Sequence, residues 1–412
     1  MKFYFKKITV IIFLILLIFV LYIKENKLYV DKLKKSKKDK KIKKRKIYYI
    51  LEKINNWIKL CQNETLNIEK VNLSEKPKIT ALISLFNSQD YINTAVKSIQ
   101  NQLLVDIEIL VVEDCSTDKS YKIIKDLQKN DKRIKIIKNK KNRGALYSKS
   151  IGILKSTGKY IMLLDSDDLF ANENIFKICF EEATKNNIDI IEFSGFNRKS
   201  KYFKLDIFPE IPYYLRFKKE NKIIYQPKLS YFIYKKIGKY KYKLIDGYIW
   251  GKCINSNIFK KTLNIIGSNT YEQRVNYCDD RIINFILFKV AHSFKYIKEY
   301  GIIYNYNNKS TTHSNLLSNN CHDELINIFS IYEYTKNLNK VNIAAFEVIS
   351  RWKTIIFPGL DINNLKNINL LINKLLLNKY VCKFYKPKLL TFSNKLKKIN
   401  IFHKNVINIK KK

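Results

Sequence analysis

From residue 78 to residue 170 the chain alternates short apolar runs with segments of helical periodicity, and this alternation constrains the fold more tightly than any other feature. The apolar runs cover residues 79–86, 107–112, 134–137 and 160–164. Helical periodicity covers residues 91–102, 121–129 and 145–156. Such alternation is typical of a mostly parallel sheet with helices on both faces. The sequence therefore predicts an α/β fold.

Polar residues follow the apolar runs at the points where the predicted strands end. Three of these loops contain the stretches NSQD, EDCSTD and DSDD. In open α/β sheets the loops after the strands line the crevice in which ligands bind. We therefore expect the ligand site at this edge of the sheet.

Three carboxylates follow the last apolar run within one turn, at Asp165, Asp167 and Asp168. Crowded carboxylates repel each other unless a cation or a proton relieves them. A hard divalent ion such as Mg²⁺ or Mn²⁺ prefers oxygen ligands and completes its shell with water and substrate phosphate. The alternative is that Ser166, Asp167 or Asp168 caps a helix that begins at Leu169.

A second pair of acids, Glu113 and Asp114, ends the run at 107–112. Acids at this position in nucleotide-binding sheets accept hydrogen bonds from ribose hydroxyls or from a base N–H. Helix capping is the alternative, because Ser116, Thr117 and Asp118 all suit a helix start. Capping accounts for those three residues but not for the acid pair.

The order of the stretches ITALISLFN, IEILVVEDCSTDKS, KNRGALYSKSIGI and GKYIMLLDSDDLF resembles that of family 2 glycosyltransferases. The stretches IWGKCINSNIFKK, CDDRIINFILFKVA and YNYNNKSTTHS are similar to the acceptor half of bacterial-type members. The resemblance implies the GT-A fold, a Rossmann-like nucleotide-diphospho-sugar transferase sheet with helices on both faces. It also implies a UDP-sugar donor and a Mn²⁺ or Mg²⁺ cofactor.

The resemblance assigns roles to individual residues of the donor half. Ser84 and Phe86 fall where the family contacts the nucleotide base, and Asp114 falls where an acid accepts from the uracil. Asp165 and Asp167 resemble the DxD motif, whose acids meet the ribose and the metal that bridges the two phosphates.

In the acceptor half, Asp280 falls at the position of the family's catalytic base, with Asp279 in the acidic position before it. His313 lies where some GT-A enzymes place a further metal or phosphate contact, although a surface histidine is the alternative.

Several positions depart from the family's pattern but leave the metal and base acids in place. The usual proline of the first strand is absent, with Ser84 and Leu85 in its region. The remaining departures are Phe86 for a tyrosine, Cys115 for a glycine, Lys149 and Ser150 for Arg-Asn, and Asp279 for a glutamate. Lys149 is accordingly expected among the donor-binding residues.

These expectations describe a metal-dependent inverting glycosyltransferase that moves a sugar from a UDP-sugar to a hydroxyl of a glycan, lipid or protein acceptor. The alternative is a catalytically inactive carbohydrate-binding or scaffold protein on the same fold. A nucleotidyltransferase is disfavoured because FNSQDY stands where a Gly-rich basic loop is expected. The seven cysteines form no CxxC pair, which disfavours a disulfide framework or a zinc site.

Residues 8–23, ITVIIFLILLIFVLYI, contain no charge and predict an N-terminal transmembrane helix that acts as an uncleaved signal-anchor. A Lys-rich segment follows, so the positive-inside rule favours a single-pass protein with its body on the cytosolic face. A lumenal orientation is the alternative. Net charge is +42, but lysines concentrate in the linker and tail rather than among aromatics on one strand face, so no nucleic-acid partner is expected.

The predicted organisation has four parts. Residues 1–24 form the membrane anchor, and residues 25–76 form a basic linker and an amphipathic stem helix. Residues 77–315 form the GT-A domain, with a donor-binding half at 77–195 and an acceptor half at 196–315. Residues 316–412 form a helical, basic C-terminal extension that carries no motif.

Overall fold

The computed structural model describes residues 76–199, 204–208, 222–226, 228, 234–238, 241–244, 248–305, 317–337, 342–351, 362–379, 381 and 385–409. All of them belong to one compact unit, Leu73–Lys412. The predicted anchor, nearly all of the linker and His313 lie outside the described residues. Within those ranges no helix has the length and apolar character needed to cross a membrane.

Twelve strands are present in the described part of the chain. They are β1 Ile79–Leu85, β2 Ile107–Glu113, β3 Ile134–Lys138, β4 Tyr160–Asp165, β5 Leu169–Phe170, β6 Ile190–Lys199, β7 Lys204–Phe208, β8 Ile223–Tyr225, β9 Tyr234–Gly238, β10 Lys241–Leu244, β11 Lys252–Asn255 and β12 Ser293–Asn305. Ten of them form one sheet with the order β3-β2-β1-β4-β11-β6-β12-β5, in which β7 also pairs with β6 and β8 with β12. Strands β9 and β10 form a separate antiparallel pair.

Eleven helices are present in the same ranges. They are α1 Ile92–Gln100, α2 Ser120–Asn130, α3 Ala145–Lys155, α4 Ile175–Lys185, α5 Ser256–Ile266, α6 Ser268–Tyr271, α7 Asp279–Val290, α8 Leu317–Thr335, α9 Asn342–Arg351, α10 Ile362–Leu377 and α11 Tyr385–Ile409. The last four confirm the prediction that the extension is helical where it is described.

Helices cover both faces of the sheet, as the alternation predicts. Successive residues of a strand point to opposite faces. On β1, Leu82 belongs to one buried apolar cluster, whereas Ala81 and Ile83 belong to the other. The first cluster includes Leu146 of α3, and the second includes Val96 of α1. Burial on both faces explains the near-continuous apolar runs.

Strands β1, β2, β3 and β4 are mutually parallel, and their carboxyl ends meet at one edge. Ser84 of β1 lies opposite Asp165 of β4, and Leu85 lies opposite Glu113 of β2. The register therefore places the EDCSTD and DSDD loops side by side, as expected.

The sheet becomes mixed beyond β4. Strand β11 pairs antiparallel with β4 and with β6, and β12 runs parallel to β6. The stretch YIWGKCINSNIFKK has a helix-like period in the sequence, and a helix predicted across all of it is wrong for the first half, because Lys252–Asn255 is a strand. Helix α5 begins only at Ser256, where the Asn255 side chain accepts from the amides of Asn257 and Ile258.

The segment after the three aspartates is also a strand. Leu169 and Phe170 form β5 and pair with Ile303 and Ile302 of β12. The alternative in which the aspartates cap a helix at Leu169 is therefore wrong, because the next helix, α4, begins at Ile175.

Candidate active site

Lys149 joins the residues that the sequence assigns to the two halves of the site. Its Nζ lies 2.8 Å from Asp280 Oδ1, 2.9 Å from Asp279 Oδ2 and 3.4 Å from Asp165 Oδ1. Lys149 lies on α3, Asp165 ends β4, and Asp279 and Asp280 open α7. Three elements therefore bring four predicted site residues to a single ammonium group.

The charges in this cluster determine one another's protonation. Burial lowers the pKa of Lys149, but Asp165, Asp279 and Asp280 outweigh it, so the pKa stands well above its usual value. Burial raises the pKa of Asp279 to about 7, with Asp280 adding to the rise and Lys149 opposing it. Lys149 therefore stays positively charged beside Asp279, whose carboxyl group has a pKa near neutrality.

Asp280 is held by backbone as well as by Lys149. Its Oδ2 accepts from the amide of Ile249 at 3.2 Å, and its Oδ1 accepts from Lys149 Nζ. Both Asp279 and Asp280 lie in the first turn of α7, where the helix dipole stabilises negative charge. These contacts hold the Asp280 carboxyl group in a defined orientation.

The DSDD turn is fastened by Asn305, at the end of β12. The Asn305 amide donates to Asp168 Oδ1 at 2.8 Å, and its Nδ2 donates to the backbone oxygen of Asp167 at 2.5 Å. Asp168 is 1% exposed, and its Oδ2 has no hydrogen-bond partner in the described part of the chain. Burial, with the charges of Asp167 and Asp165, raises its pKa well above the usual value. Asp168 is therefore a structural acid of the turn.

Asp114 binds the loop that follows β3. Its Oδ1 accepts from Asn139 Nδ2 and from the amide of Arg143, and its Oδ2 accepts from the amide of Gly144, each at 2.8 Å. Gly144 has a φ of +88°, which few other residues adopt. A carboxylate has about four acceptor positions, so these three contacts leave one position on Oδ2.

Ser84 and Phe86 lie beside this acid at the end of β1. Ser84 is half-buried, whereas Phe86 is 43% exposed and presents a ring to solvent. Cys115, the residue after Asp114, has a φ of +62°. The left-handed conformation explains in physical terms why the family has a glycine there.

Asp165 and Asp167 offer the oxygen ligands for a divalent ion. The Asp165 side chain is 35% exposed, so it is accessible from the crevice. Within the described ranges no group of three or more His, Cys, Asp or Glu side chains forms a ready-made metal site. One or two carboxylates are the protein ligands that Mg²⁺ normally takes when substrate phosphates complete its shell, so these residues fit the expected ion.

Three features around the candidate site are not predicted by the sequence. They are the amide of Ile249 on Asp280, the two bonds of Asn305 to the DSDD turn, and a row of rings formed by Tyr248, Trp250 and Tyr304. Ring centroids are 5.1 Å apart for Tyr248–Trp250 and 6.3 Å apart for Trp250–Tyr304. Except for Tyr248, which directly precedes IWGKC, these residues belong to the IWGKC and YNYNN stretches, so the resemblance points to the segments but gives these residues no role.

Burial, together with the charges of Asp168, Asp167 and Asp165, raises the pKa of Tyr304. The row of rings therefore lies close to the DSDD turn, and the Ile249 amide connects the same segment to Asp280.

Comparison with known proteins identifies the class of this domain. Residues 80–246 match the model of glycosyl transferase family 2. The chain is 25% identical over 236 residues to an uncharacterized glycosyltransferase, EpsJ, of Bacillus subtilis, across 57% of this chain and 63% of that protein. It is 38% identical over 101 residues to an uncharacterized glycosyltransferase of Haemophilus influenzae, across 24% and 40%. The prediction of a glycosyltransferase is confirmed at the level of this domain.

A relative in Campylobacter jejuni, GalNAc(5)-diNAcBac-PP-undecaprenol beta-1,3-glucosyltransferase, is 38% identical over 145 residues, which cover 32% of this chain and 47% of that protein. The chain thus spans less than two thirds of the length of each of these relatives. The solved structure of S. aureus TarS 1-349 in complex with UDP-GlcNAc has a TM-score of 0.53 and 13% identity, across 77% of this chain and 88% of that one. This likeness supports the GT-A-like fold.

Proposed function

We propose that this protein transfers a sugar from a UDP-sugar to a hydroxyl group of its acceptor, with inversion at the anomeric carbon. The proposal assigns Asp280 as the base, Asp165 and Asp167 as the acids that meet the donor, and Ser84, Phe86 and Asp114 as contacts of the uracil. The family match and the curated glycosyltransferases support the reaction class.

The observation that carries the proposal is the shared ammonium of Lys149. It contacts Asp165, at the donor end of the crevice, and Asp280, at the acceptor end. An inverting transfer is a single displacement that needs a base on the attacking hydroxyl and charge stabilisation on the leaving diphosphate. The ion pairs of Lys149 support this assignment, because they bring candidate groups for both tasks to one ammonium group.

Each residue then has a distinct task. Asp280, oriented by the Ile249 amide, takes the proton of the acceptor hydroxyl at a carboxylate oxygen. Lys149 keeps positive charge beside Asp279 and Asp280, and its charge opposes the burial that favours protonation of Asp279. A Mn²⁺ or Mg²⁺ ion on Asp165 and Asp167 would supply positive charge to the departing diphosphate.

For the acceptor, we propose a lipid-linked glycan from among the glycan, lipid and protein classes. Support comes from the Campylobacter jejuni relative, whose name specifies an undecaprenyl-diphosphate-linked acceptor. The uncharged run at residues 8–23 supports a membrane location for such an enzyme, with the body on the cytosolic face.

The test is binding and hydrolysis of a panel of nucleotide sugars by the full chain in detergent, with Mn²⁺ and with a chelator. We expect metal-dependent binding of UDP and slow hydrolysis of one UDP-sugar. Asp280→Asn should keep UDP binding and lose hydrolysis and transfer by about 10²–10⁴-fold, because the base is removed. Asp167→Asn should instead weaken metal-dependent UDP binding.

Asp126→Asn is the matched control, because Asp126 is an exposed residue of α2 that pairs, among the described residues, only with Lys129 of the same helix and lies outside the site. Normal turnover of Asp280→Asn would refute the base assignment. Absence of binding to every nucleotide sugar, with and without Mn²⁺, would favour the inactive carbohydrate-binding or scaffold protein.

A further inference from the structure

The segment just before α7 is tied to α3, the helix that carries Lys149. The amide of Leu146 donates to the backbone oxygen of Val275 at 3.0 Å, and the amide of Ala145 donates to Asn276 Oδ1 at 3.1 Å. These bonds connect the first turn of α3 to the residues that lead into Asp279. The ammonium and its carboxylate partners are therefore connected through backbone as well as through charge.

The same segment is tied on its other side to α8, in the C-terminal extension. One oxygen of Asp323, Oδ2, accepts from the amides of both Asn276 and Tyr277, each at 2.8 Å. Asp323 is buried, and burial raises its pKa while the two amides lower it. A buried acceptor with two backbone donors is costly to lose, because both donors are then left without it.

The turn that these bonds hold has an unusual backbone. Cys278 has a φ of +54°, a left-handed conformation that costs energy in a residue other than glycine. It stands between the two amides held by Asp323 and the two acids of α7. The direction in which Asp279 and Asp280 leave the turn therefore depends on contacts that keep Cys278 in this conformation.

A buried ion pair secures the start of α7 to the same helix. Arg281 Nη1 pairs with Glu324 Oε2, and Glu347 of α9 lies 4.0 Å from the same nitrogen. Arg281 Nη2 also contacts Cys278 Sγ at 3.1 Å. Asp323 and Glu324 are adjacent on α8, so one turn of that helix holds both the loop before the acids and the residue after them.

We infer that α8 is part of the catalytic apparatus, with Asp323 and Glu324 as positioning residues for Asp279 and Asp280. The expected effect on catalysis rests on the proposed function, whereas the claim that Asp323 and Glu324 hold the start of α7 does not. The family match ends at residue 246, before α8 begins, and the extension carries no motif. Its contacts nevertheless reach the residues on either side of the acid pair.

The experiment combines hydrogen exchange with kinetics on the full chain. Asp323→Ala removes the acceptor, whereas Asp323→Asn keeps one carbonyl oxygen. One oxygen is enough, because in the wild type Oδ2 alone accepts from both amides. Thr335→Ala is the matched control: it removes another buried polar side chain of α8, one that bonds only within its own helix. If Asp323→Ala does not fold, Asp323→Leu replaces it.

We expect faster exchange in a peptide covering residues 275–280 for Asp323→Ala, with Asp323→Asn and Thr335→Ala close to wild type. Hydrolysis of the preferred UDP-sugar should fall about 10- to 100-fold in Asp323→Ala, since small misplacements of reacting groups cost this much. UDP binding should not change, and Asp323→Asn should restore the rate.

Each outcome bears on a separate part of the inference. If the peptide covering residues 275–280 exchanges equally fast in Asp323→Ala and Thr335→Ala, Asp323 does not hold the loop before α7. Faster exchange with unchanged hydrolysis overturns the positioning role. A wild-type chain that hydrolyses no UDP-sugar refutes the proposed function instead. The exchange measurement still tests whether Asp323 holds the loop before α7.

Discussion

Lys149 replaces the arginine that the family often has at this position, and its surroundings explain why a compact cation serves here. An ammonium is a point charge with three donors, and three carboxylate oxygens lie within 3.4 Å of it. The pairing could not be predicted from the sequence, because Lys149 and Asp280 lie far apart in the chain and meet only in the fold. The motif gave the position of Lys149 but not its partners.

Replacing Lys149 with methionine should destabilise the fold as well as the site. The variant leaves Asp279 and Asp280 buried without their cation, and breaking a buried ion pair costs about 3–5 kcal/mol. We expect a loss of that order in the free energy of unfolding, measured by urea denaturation. Lys149→Arg should lose less because it keeps the charge, and Lys155→Met, at an exposed position of the same helix, should change little. A stable Lys149→Met variant would contradict this account.

The raised pKa of Asp279 predicts a pH dependence of stability. Folding favours the protonated carboxyl, since the pKa is about 7 in the folded chain and 3.8 ordinarily. Between these values the folded state binds more protons than the unfolded state, so this group's contribution falls as pH rises. Relative to Asp279→Asn, the wild type should therefore lose free energy of unfolding from about pH 4 to pH 7. If the free energies of unfolding of the two proteins changed in parallel across that range, the pKa of Asp279 would not be raised in the folded state.

At the scale of elements, β1 to β4 and α1 to α3 are predicted well because apolar runs and helical periods alternate regularly between residues 78 and 170. Strand β11 is not, because its four residues are too few to show a period beside the helix that follows them. Strand β5 is missed for a similar reason: its two residues are extended because they pair with β12, a contact far away in the sequence. Sequence patterns thus predict the regularly alternating elements, whereas β5 and β11 depend on pairing with strands that are distant in the sequence.

The turn between β2 and α2 offers a substitution that should stabilise the protein. Cys115 adopts a φ of +62°, and glycine takes this conformation without the steric cost of a Cβ. Cys115→Gly should raise the free energy of unfolding by about 1 kcal/mol, measured by chemical denaturation. Cys115→Ala is the control, since it removes the thiol but keeps the Cβ. Equal stabilities of the two variants would show that the backbone there is unstrained.

At the scale of the whole molecule, a lysine-rich composition is compatible with a candidate site that is strongly acidic. The chain carries a net charge of +42, yet Asp165, Asp167, Asp168, Asp279 and Asp280 gather in one crevice. Net charge therefore describes the solvated surface and the termini, whereas the site depends on local burial and pairing. This explains why composition alone invited a nucleic-acid interpretation that the motifs did not support.

The uncharged run near the N-terminus leads to a prediction about the complete protein. If the uncharged run at residues 8–23 anchors the protein, with the flanking lysines extended to the interface, the full chain should stay with the membrane fraction through an alkaline carbonate wash. Deleting residues 1–24 while keeping the basic linker should release the chain. Retention of the shortened protein after the wash, and its release only by salt, would point to the linker as the electrostatic membrane contact instead.

The position of β11 between β4 and β6 has a consequence for anyone who recombines enzymes of this kind. The predicted donor and acceptor halves are consecutive in the chain but interleaved in the sheet, because β11 and β12 of the second half flank β6, which begins in the first half and crosses the boundary at residue 195. A chimera joined near residue 195 would therefore cut β6 itself and take its neighbours β11 and β12 from the other parent. Swaps intended to change the sugar should therefore keep β4, β6, β11 and β12 from a single parent and vary the crevice loops alone.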